Sequence, residues 1–157
     1  MKQDRFLTGI VIGIAVLIIA AVAVFLTRDN KQTYGAENTP DGVVHNYVLA
    51  VLKRDYTKAY GYLADLPNKP SYDTFQRSFS TSIANPSNTG IKIGTADVTG
   101  EYATVNISTV NAPSDPLSSE FTNNSSAQLV MQNGSWKISS MQAYNLWDYN
   151  WYQVPPK

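Results

Sequence analysis

Few side chains in this sequence could carry out acid–base, nucleophilic or metal chemistry. His45 is the only histidine, and cysteine is absent from the 157 residues. A multi-histidine metal site, a thiolate metal site and a cysteine nucleophile are therefore excluded within one chain. His45 lies at the edge of an apolar helical stripe, beside Val44 and Val48. We expect its imidazole to be structural, not catalytic.

The remaining candidates for acid–base chemistry are carboxylates, and they are scattered along the chain. Those nearest to apolar segments are Asp55, Asp65, Asp73, Asp97 and Glu101. Asp55 and Asp73 stand where a helix begins, which is typical of capping and first-turn residues. No calcium-loop spacing, phosphate-binding glycine loop or nucleophile elbow is present. The sequence therefore predicts no catalytic residue, no metal site and no cofactor.

The charge balance limits the kinds of partner. The chain has 12 basic and 12 acidic side chains, so it lacks the general positive charge of a nucleic-acid-binding protein. We expect no nucleic-acid partner.

The elements that position these side chains begin with a strongly apolar segment. The run from Phe6 to Thr27 is 22 residues long and carries no charge. As a helix it would extend about 33 Å, enough to cross a membrane. The sequence predicts a cytoplasmic tail at 1–5, a transmembrane anchor at 6–27 and a linker at 28–38. The rest of the chain, 39–157, is expected to form one domain.

The fate and the orientation of the apolar segment have alternatives. A cleaved signal peptide has a shorter apolar region, of about 7–15 residues, so an uncleaved signal anchor is favoured. Lysine and arginine number two on each side of the segment and do not fix its orientation. The very short N-terminal tail favours a cytoplasmic N-terminus. The sequence then predicts a single-pass protein of the cell membrane whose C-terminal domain is extracytoplasmic.

The periodicity of the outer region changes halfway along the chain. Helical spacing predicts helices at about 39–53, 55–63 and 71–83, and a turn follows at 85–90. Alternating residues then predict about four strands, with a change of phase near Gly94 and a hairpin turn at Asn133 and Gly134. Helices followed by strands indicate an α+β fold with an antiparallel sheet.

Three segments resemble the nuclear transport factor 2-like superfamily, a cone built on a curved antiparallel sheet. They are Val44–Ala50, Asp55–Leu63 and Gln128–Ile138. The resemblance spans about residues 39–142, and its motifs are mainly structural. Small membrane-anchored bacterial proteins of unknown role look like this, as does an inner-membrane component of type IV secretion systems. The resemblance therefore implies fold more directly than function.

The resemblance also implies an apolar pocket between the helices and the sheet. The side chains placed to line it are Tyr47, Tyr60, Phe75, Phe79 and Trp136. Catalytic members of the superfamily, such as ketosteroid isomerase, use a pocket carboxylate and an acidic hydroxyl group. That catalytic pair cannot be matched to positions in this sequence. A small-molecule ligand is compatible with the pocket, and an isomerase- or dehydratase-like enzyme is kept as an alternative.

The segment 144–152 is unusually aromatic, with two of the three tryptophans and three of the ten tyrosines. It has two interpretations. It extends the last strand and fills the domain's own core, or it forms an exposed surface for a protein partner, a glycan or the bilayer interface. The candidates for such an interface are Trp147, Tyr149, Trp151 and Tyr152.

The function predicted from these features is a membrane-tethered, extracytoplasmic binding or assembly module without catalytic activity. The expected partners are the membrane, through a single span, and either another protein or further copies of this chain. A subunit of a secretion complex is a second alternative beside the enzyme.

Overall fold

The structure is a computed structural model that describes five stretches of the chain, at residues 5–27, 32–80, 89–111, 121–143 and 146–153. The chain divides into two compact units, Met1–Gln32 and Thr33–Lys157. Most of the predicted tail and the first part of the predicted linker, at 28–31, lie outside the described residues.

The first unit contains one helix, α1 (Arg5–Thr27). Its described side chains run from 8 to 24, and all of them are exposed. Among the residues that the structure describes, no helix combines the length and the apolarity needed to cross a membrane.

The second unit begins with three helices, α2 (Pro40–Leu52), α3 (Tyr56–Gly61) and α4 (Tyr72–Ser80). The side chain of Thr39 caps α2 by accepting a hydrogen bond from the backbone of Gly42, and Asp55 caps α3 in the same way. These starts agree with the sequence. The predicted extension of α4 beyond Ser80 lies outside the described residues.

The helices are followed by a sheet of four antiparallel strands in sequence order. Its strands are β1 (Thr89–Thr99), β2 (Tyr102–Asn111), β3 (Phe121–Gln132) and β4 (Ser135–Met141). Because β1 begins at Thr89, the predicted turn does not include Thr89 and Gly90, and the rest of that turn, at 85–88, lies outside the described residues. The predicted phase change is confirmed as a register shift between Ile93 and Ala96.

The hairpin between β3 and β4 turns at the predicted residues. Asn133 and Gly134 both have positive φ, at 50° and 74°, which suits a two-residue hairpin turn. One face of the sheet supplies buried residues to the core. They include Val105, Ile107, Leu129, Trp136 and Ile138. The predicted α+β class with an antiparallel sheet is confirmed.

Residues 33–38, predicted to be part of the linker, are fixed to the second unit. We call them the strap. The buried amide of Asn46 accepts a hydrogen bond from the Gly35 nitrogen at 2.7 Å and donates one to the Gly35 oxygen at 3.1 Å. His45 Nε2 lies 3.1 Å from the Thr33 carbonyl oxygen. This part of the predicted linker is therefore packed against α2, and the contact of His45 is to backbone.

Charged side chains add to this attachment of the strap. The ammonium of Lys58 lies 3.6 Å from the centre of the Tyr34 ring, and that of Lys53 lies 4.9 Å from it. Glu37 accepts a hydrogen bond of 2.7 Å from the hydroxyl of Tyr62. The strap is thus held by a buried amide, cation–π contacts and a carboxylate.

Candidate functional site

The C-terminal segment packs its tryptophans against two helices of its own domain. We call the resulting group the aromatic cluster: Tyr47, Phe75, Phe79, Trp147 and Trp151. Its ring centres are 6.3 Å apart for Tyr47 and Trp147, 5.0 Å for Phe75 and Trp151, and 4.9 Å for the two tryptophans. All five residues are at most 7% exposed. Edge-to-face and tilted rings at these distances add stability beyond that of area burial alone.

Helical spacing explains why α2 and α4 contribute to the aromatic cluster. Phe75 and Phe79 are four residues apart on α4 and therefore share one face of the helix. Tyr47 lies on the buried stripe of α2. The tryptophans are also four residues apart, but 146–153 form turns and not a strand. The strand extension considered from the sequence is not what places them in the core.

The hydroxyl of Tyr47 ties the aromatic cluster to the C-terminal backbone. It donates a buried hydrogen bond of 2.6 Å to the carbonyl oxygen of Leu146. Burial raises the pKa of Tyr47 well above its ordinary value, and the neighbouring Tyr152 adds to the effect. The hydroxyl therefore remains a hydrogen-bond donor at neutral pH and cannot act as a base.

Tyr152 closes the segment against the loop that follows α3. Its hydroxyl donates to the Ala64 carbonyl oxygen at 2.7 Å, and its backbone nitrogen donates to the Asn68 carbonyl oxygen at 3.2 Å. Its ring stacks on Trp147 with centres 5.9 Å apart. Burial, followed by the charges of Tyr60 and Asp65, raises the pKa of Tyr152. Tyr152 is therefore also a protonated structural donor.

Asp148 is the carboxylate within the C-terminal segment. Its oxygens accept hydrogen bonds from the Ser78 hydroxyl at 2.8 Å and from both nitrogens of Asn150 at 2.9 Å. Burial alone would raise the pKa of Asp148, but the hydrogen bonds from Asn150 and Ser78 lower it below its ordinary value. The carboxylate is therefore ionised and engaged in holding the turn between the tryptophans.

The lowered pKa of Asp148 predicts how the stability of the folded domain changes in acid. A carboxylate with a depressed folded-state pKa stabilises the fold above its ordinary pKa of 3.8. The contribution is lost as the pH falls through the folded-state pKa. We expect Asp148→Asn to reduce the urea midpoint at pH 6–7, and the difference from the parent protein to shrink below about pH 4. Glu101→Gln, in the exposed turn between β1 and β2, is the control. A difference that stays constant from pH 7 to pH 2.5 would contradict this role.

The indole nitrogen of Trp151 differs from the hydrogen-bonded polar groups of Tyr47, Asp148 and Tyr152. It is buried and has no hydrogen-bond partner among the described residues. An unpaired buried donor destabilises the folded state by roughly 1–3 kcal/mol.

The side chains predicted to line a pocket lie in the apolar core or against it. Trp136 is 7% exposed and is on β4, while Tyr60 is half-buried beside α4. The hydroxyl of Tyr60 donates to the Pro70 carbonyl oxygen at 2.8 Å. The remaining three predicted pocket residues are members of the aromatic cluster. The predicted lining is therefore packed by other side chains of the domain.

The interface candidates divide into buried and exposed residues. Trp147 and Trp151 are each 4% exposed, whereas Tyr149 is 50% exposed and Tyr152 is half-buried. Tyr149 is therefore the most exposed of the four candidates.

One contact that the sequence reasoning missed joins a tyrosine hydroxyl to a carboxylate. Tyr62 and Glu37 form this pair, and burial together with the hydrogen bond that the Tyr62 hydroxyl donates to Glu37 raises the pKa of Tyr62. The Glu37 side chain is 62% exposed and also lies 3.8 Å from the ammonium of Lys58. The carboxylate of the pair is therefore at the surface, whereas Tyr62 is buried. In the described part of the chain, no group of three or more metal-ligating side chains comes together.

No protein-family profile and no curated protein matches the sequence. One similar solved structure is a SEC-C motif-containing protein from Rhodopseudomonas palustris. It is 12% identical in sequence, the match covers 69% of this chain and 81% of that chain, and the TM-score is 0.48. A second is an uncharacterised cystatin-fold protein from Novosphingobium aromaticivorans, with 14% identity, coverage of 67% and 97%, and a TM-score of 0.44.

A third similar structure, also from Novosphingobium aromaticivorans, is provisionally named as an aromatic ring hydroxylase. It has 14% identity, covers 70% of this chain and 96% of its own, and has a TM-score of 0.42. At these identities and TM-scores, the similarities establish neither a family nor an activity for this chain.

Proposed function

We propose that this chain is a membrane-tethered, extracytoplasmic binding or assembly module without catalytic activity, whose domain is a cone of the nuclear transport factor 2-like kind. One observation carries the non-catalytic part of the proposal: the chain's own C-terminal segment occupies the apolar space beside α2 and α4. Trp147 and Trp151 fill it with their rings. An isomerase- or dehydratase-like enzyme would need that space for its substrate.

The polar groups beside the aromatic cluster support the same proposal. The hydroxyl groups of Tyr47 and Tyr152 donate to backbone carbonyl groups. Both oxygens of Asp148 accept hydrogen bonds from within the domain. A general base needs an accessible lone pair directed at a substrate. These groups are already engaged in holding the C-terminal segment in place.

The membrane tether is proposed from the sequence of the first unit. The uncharged run Phe6–Thr27 extends past both ends of the described side chains of α1. Apart from Thr8, the side chains described along α1 are apolar on every face of the helix, and all of them are exposed. A helix that is apolar all round is typical of a membrane span or of a large protein core.

Membrane fractionation tests the tether directly. We expect the full-length chain to sediment with membranes and to resist carbonate extraction, and a variant lacking residues 1–27 to remain in the supernatant. Protease added to spheroplasts should digest the domain, because the domain is outside the cytoplasm. A full-length chain in the soluble fraction would overturn the tether. Protection from protease until the membrane is permeabilised would overturn the orientation.

A further inference from the structure

The two edge strands of the sheet differ in how their outer edges are covered. The edge of β4 is paired: the Ala64 nitrogen donates to the Ile138 carbonyl oxygen, and the Ile138 nitrogen donates to the Tyr62 carbonyl oxygen, both at 2.8 Å. Strand β1 pairs with β2 on one side, and its other edge has no backbone partner in the described stretches. An edge of 11 residues that has no backbone partner among the described residues is a template for another strand.

We propose that the unpaired edge of β1 pairs antiparallel with β1 of a second copy of this chain, so that one sheet continues across a two-fold symmetric dimer. This inference rests on the assembly role proposed above and names its partner. It does not depend on the membrane tether.

The arrangement of side chains on β1 is complementary to itself. Lys92 pairs with Ser108 and Asp97 with Thr104 in the register of β1 and β2. Paired residues share a face of the sheet, and Ser108 and Thr104 lie on the face opposite the buried Val105 and Ile107. Lys92 and Asp97 therefore lie on the same outer face, and both side chains are exposed.

The core-side face of β1 is complementary in the same register. Ile91, Ile93, Ala96 and Val98 pair with Thr109, Ile107, Val105 and Ala103, which places them on the core side of the sheet. Val98 is nevertheless 50% exposed. When Lys92 stands opposite the partner's Asp97, Ile93 stands opposite the partner's Ala96 and Ile91 opposite the partner's Val98. Apolar residues then meet apolar residues, and opposite charges meet twice by symmetry.

The bulge restricts the choice of register. Residues of β1 alternate between the core side and the outer face of the sheet. The register shift between Ile93 and Ala96 interrupts this alternation at Gly94 and Thr95. Antiparallel pairing across the whole strand must keep core-side residues opposite core-side residues. This holds on both sides of the bulge only when Gly94 faces the partner's Thr95. A bulge and a charged residue also protect single edge strands from association, and a monomeric protein would favour that explanation.

Engineered cysteines test the register in the full-length chain in detergent. The chain has no native cysteine, and positions 92 and 97 of one strand are about 15 Å apart, too far for a disulfide within one copy. We expect the double variant Lys92→Cys/Asp97→Cys to form covalent dimers under mild oxidation. Each single variant should form few, since neither position lies opposite its own copy. Equal yields in the single and double variants, or no dimer in any of them, would overturn the proposal.

Charge exchange gives a second, non-covalent measurement. We expect Lys92→Asp to weaken the dimer about tenfold in analytical ultracentrifugation, because two attractive cross-strand pairs become repulsive. The double exchange Lys92→Asp/Asp97→Lys should restore the parent dissociation constant. A double variant as weak as the single one would contradict the pairing. Either failure leaves membrane fractionation unaffected, so it is distinguishable from failure of the tether.

Discussion

Replacing Trp151 with alanine is expected to lower the free energy of unfolding by about 3–5 kcal/mol. The ring contacts Phe75, Phe79 and Trp147 with centres 4.9–5.8 Å apart, and truncation leaves a cavity where they meet. Domains of this size are stable by only about 5–15 kcal/mol. The loss should therefore shift the urea midpoint strongly or prevent folding at 37 °C.

Two further variants make the Trp151 result specific. Trp151→Phe should destabilise the domain much less, because it keeps a ring in the cluster and removes an indole nitrogen that is unpartnered among the described residues. Tyr102→Ala removes an aromatic ring on β2 that is 69% exposed, and should change stability by about 1 kcal/mol or less. If all three variants lost similar stability, the tryptophan would not be part of a packed cluster.

Replacing Gly42 with alanine is expected to destabilise the domain by about 1–3 kcal/mol. A Cβ atom at Gly42 would overlap the backbone carbonyl oxygen of Ala36 and lie 2.8 Å from Thr39 Oγ1. Since the obstructing atoms belong to backbone and to the α2 cap, the strap must move away. Denaturant titration measures the loss, and amide exchange at Gly35 reports whether the strap has been released.

Gly61→Ala is the matched control for Gly42→Ala. Gly61 is the last residue of α3, and a Cβ there would meet no atom within 4 Å. In a helix, alanine is favoured over glycine by about 0.5–1 kcal/mol. We expect this variant to be unchanged or slightly more stable. Two glycine variants with equal losses would show that close approach of the strap is not the cause.

The backbone elements were predictable because their signals are local. Thr39 and Asp55 are side chains that cap helices, and the structure places both at N-caps. Asn133 and Gly134 tolerate the positive φ that a short hairpin requires. The alternation of apolar and polar residues changes phase around Gly94, and this change predicted the register shift. These features depend on neighbouring residues, so the sequence alone contains them.

The contacts of the site were harder to predict because they join distant parts of the chain. Tyr47 and Leu146 are 99 positions apart, and nothing local indicates their hydrogen bond. The sequence left two interpretations of the aromatic segment open, since composition cannot tell a buried tryptophan from an exposed one. The attachment of the strap to α2 was also not predicted. Its one available signal was Asn46, a polar residue that follows His45 and lies between the apolar Val44 and Tyr47 on α2.

The most direct test of a filled interior is hydrogen exchange at the tryptophan indole groups. Trp147 and Trp151 are each 4% exposed. NMR of the folded full-length chain should therefore show that both indole protons exchange only when the domain opens. Neither indole resonance should shift when small apolar ligands are added. Exchange within minutes, or ligand-dependent shifts of both resonances, would mean that the C-terminal rings leave an accessible pocket and would contradict the account.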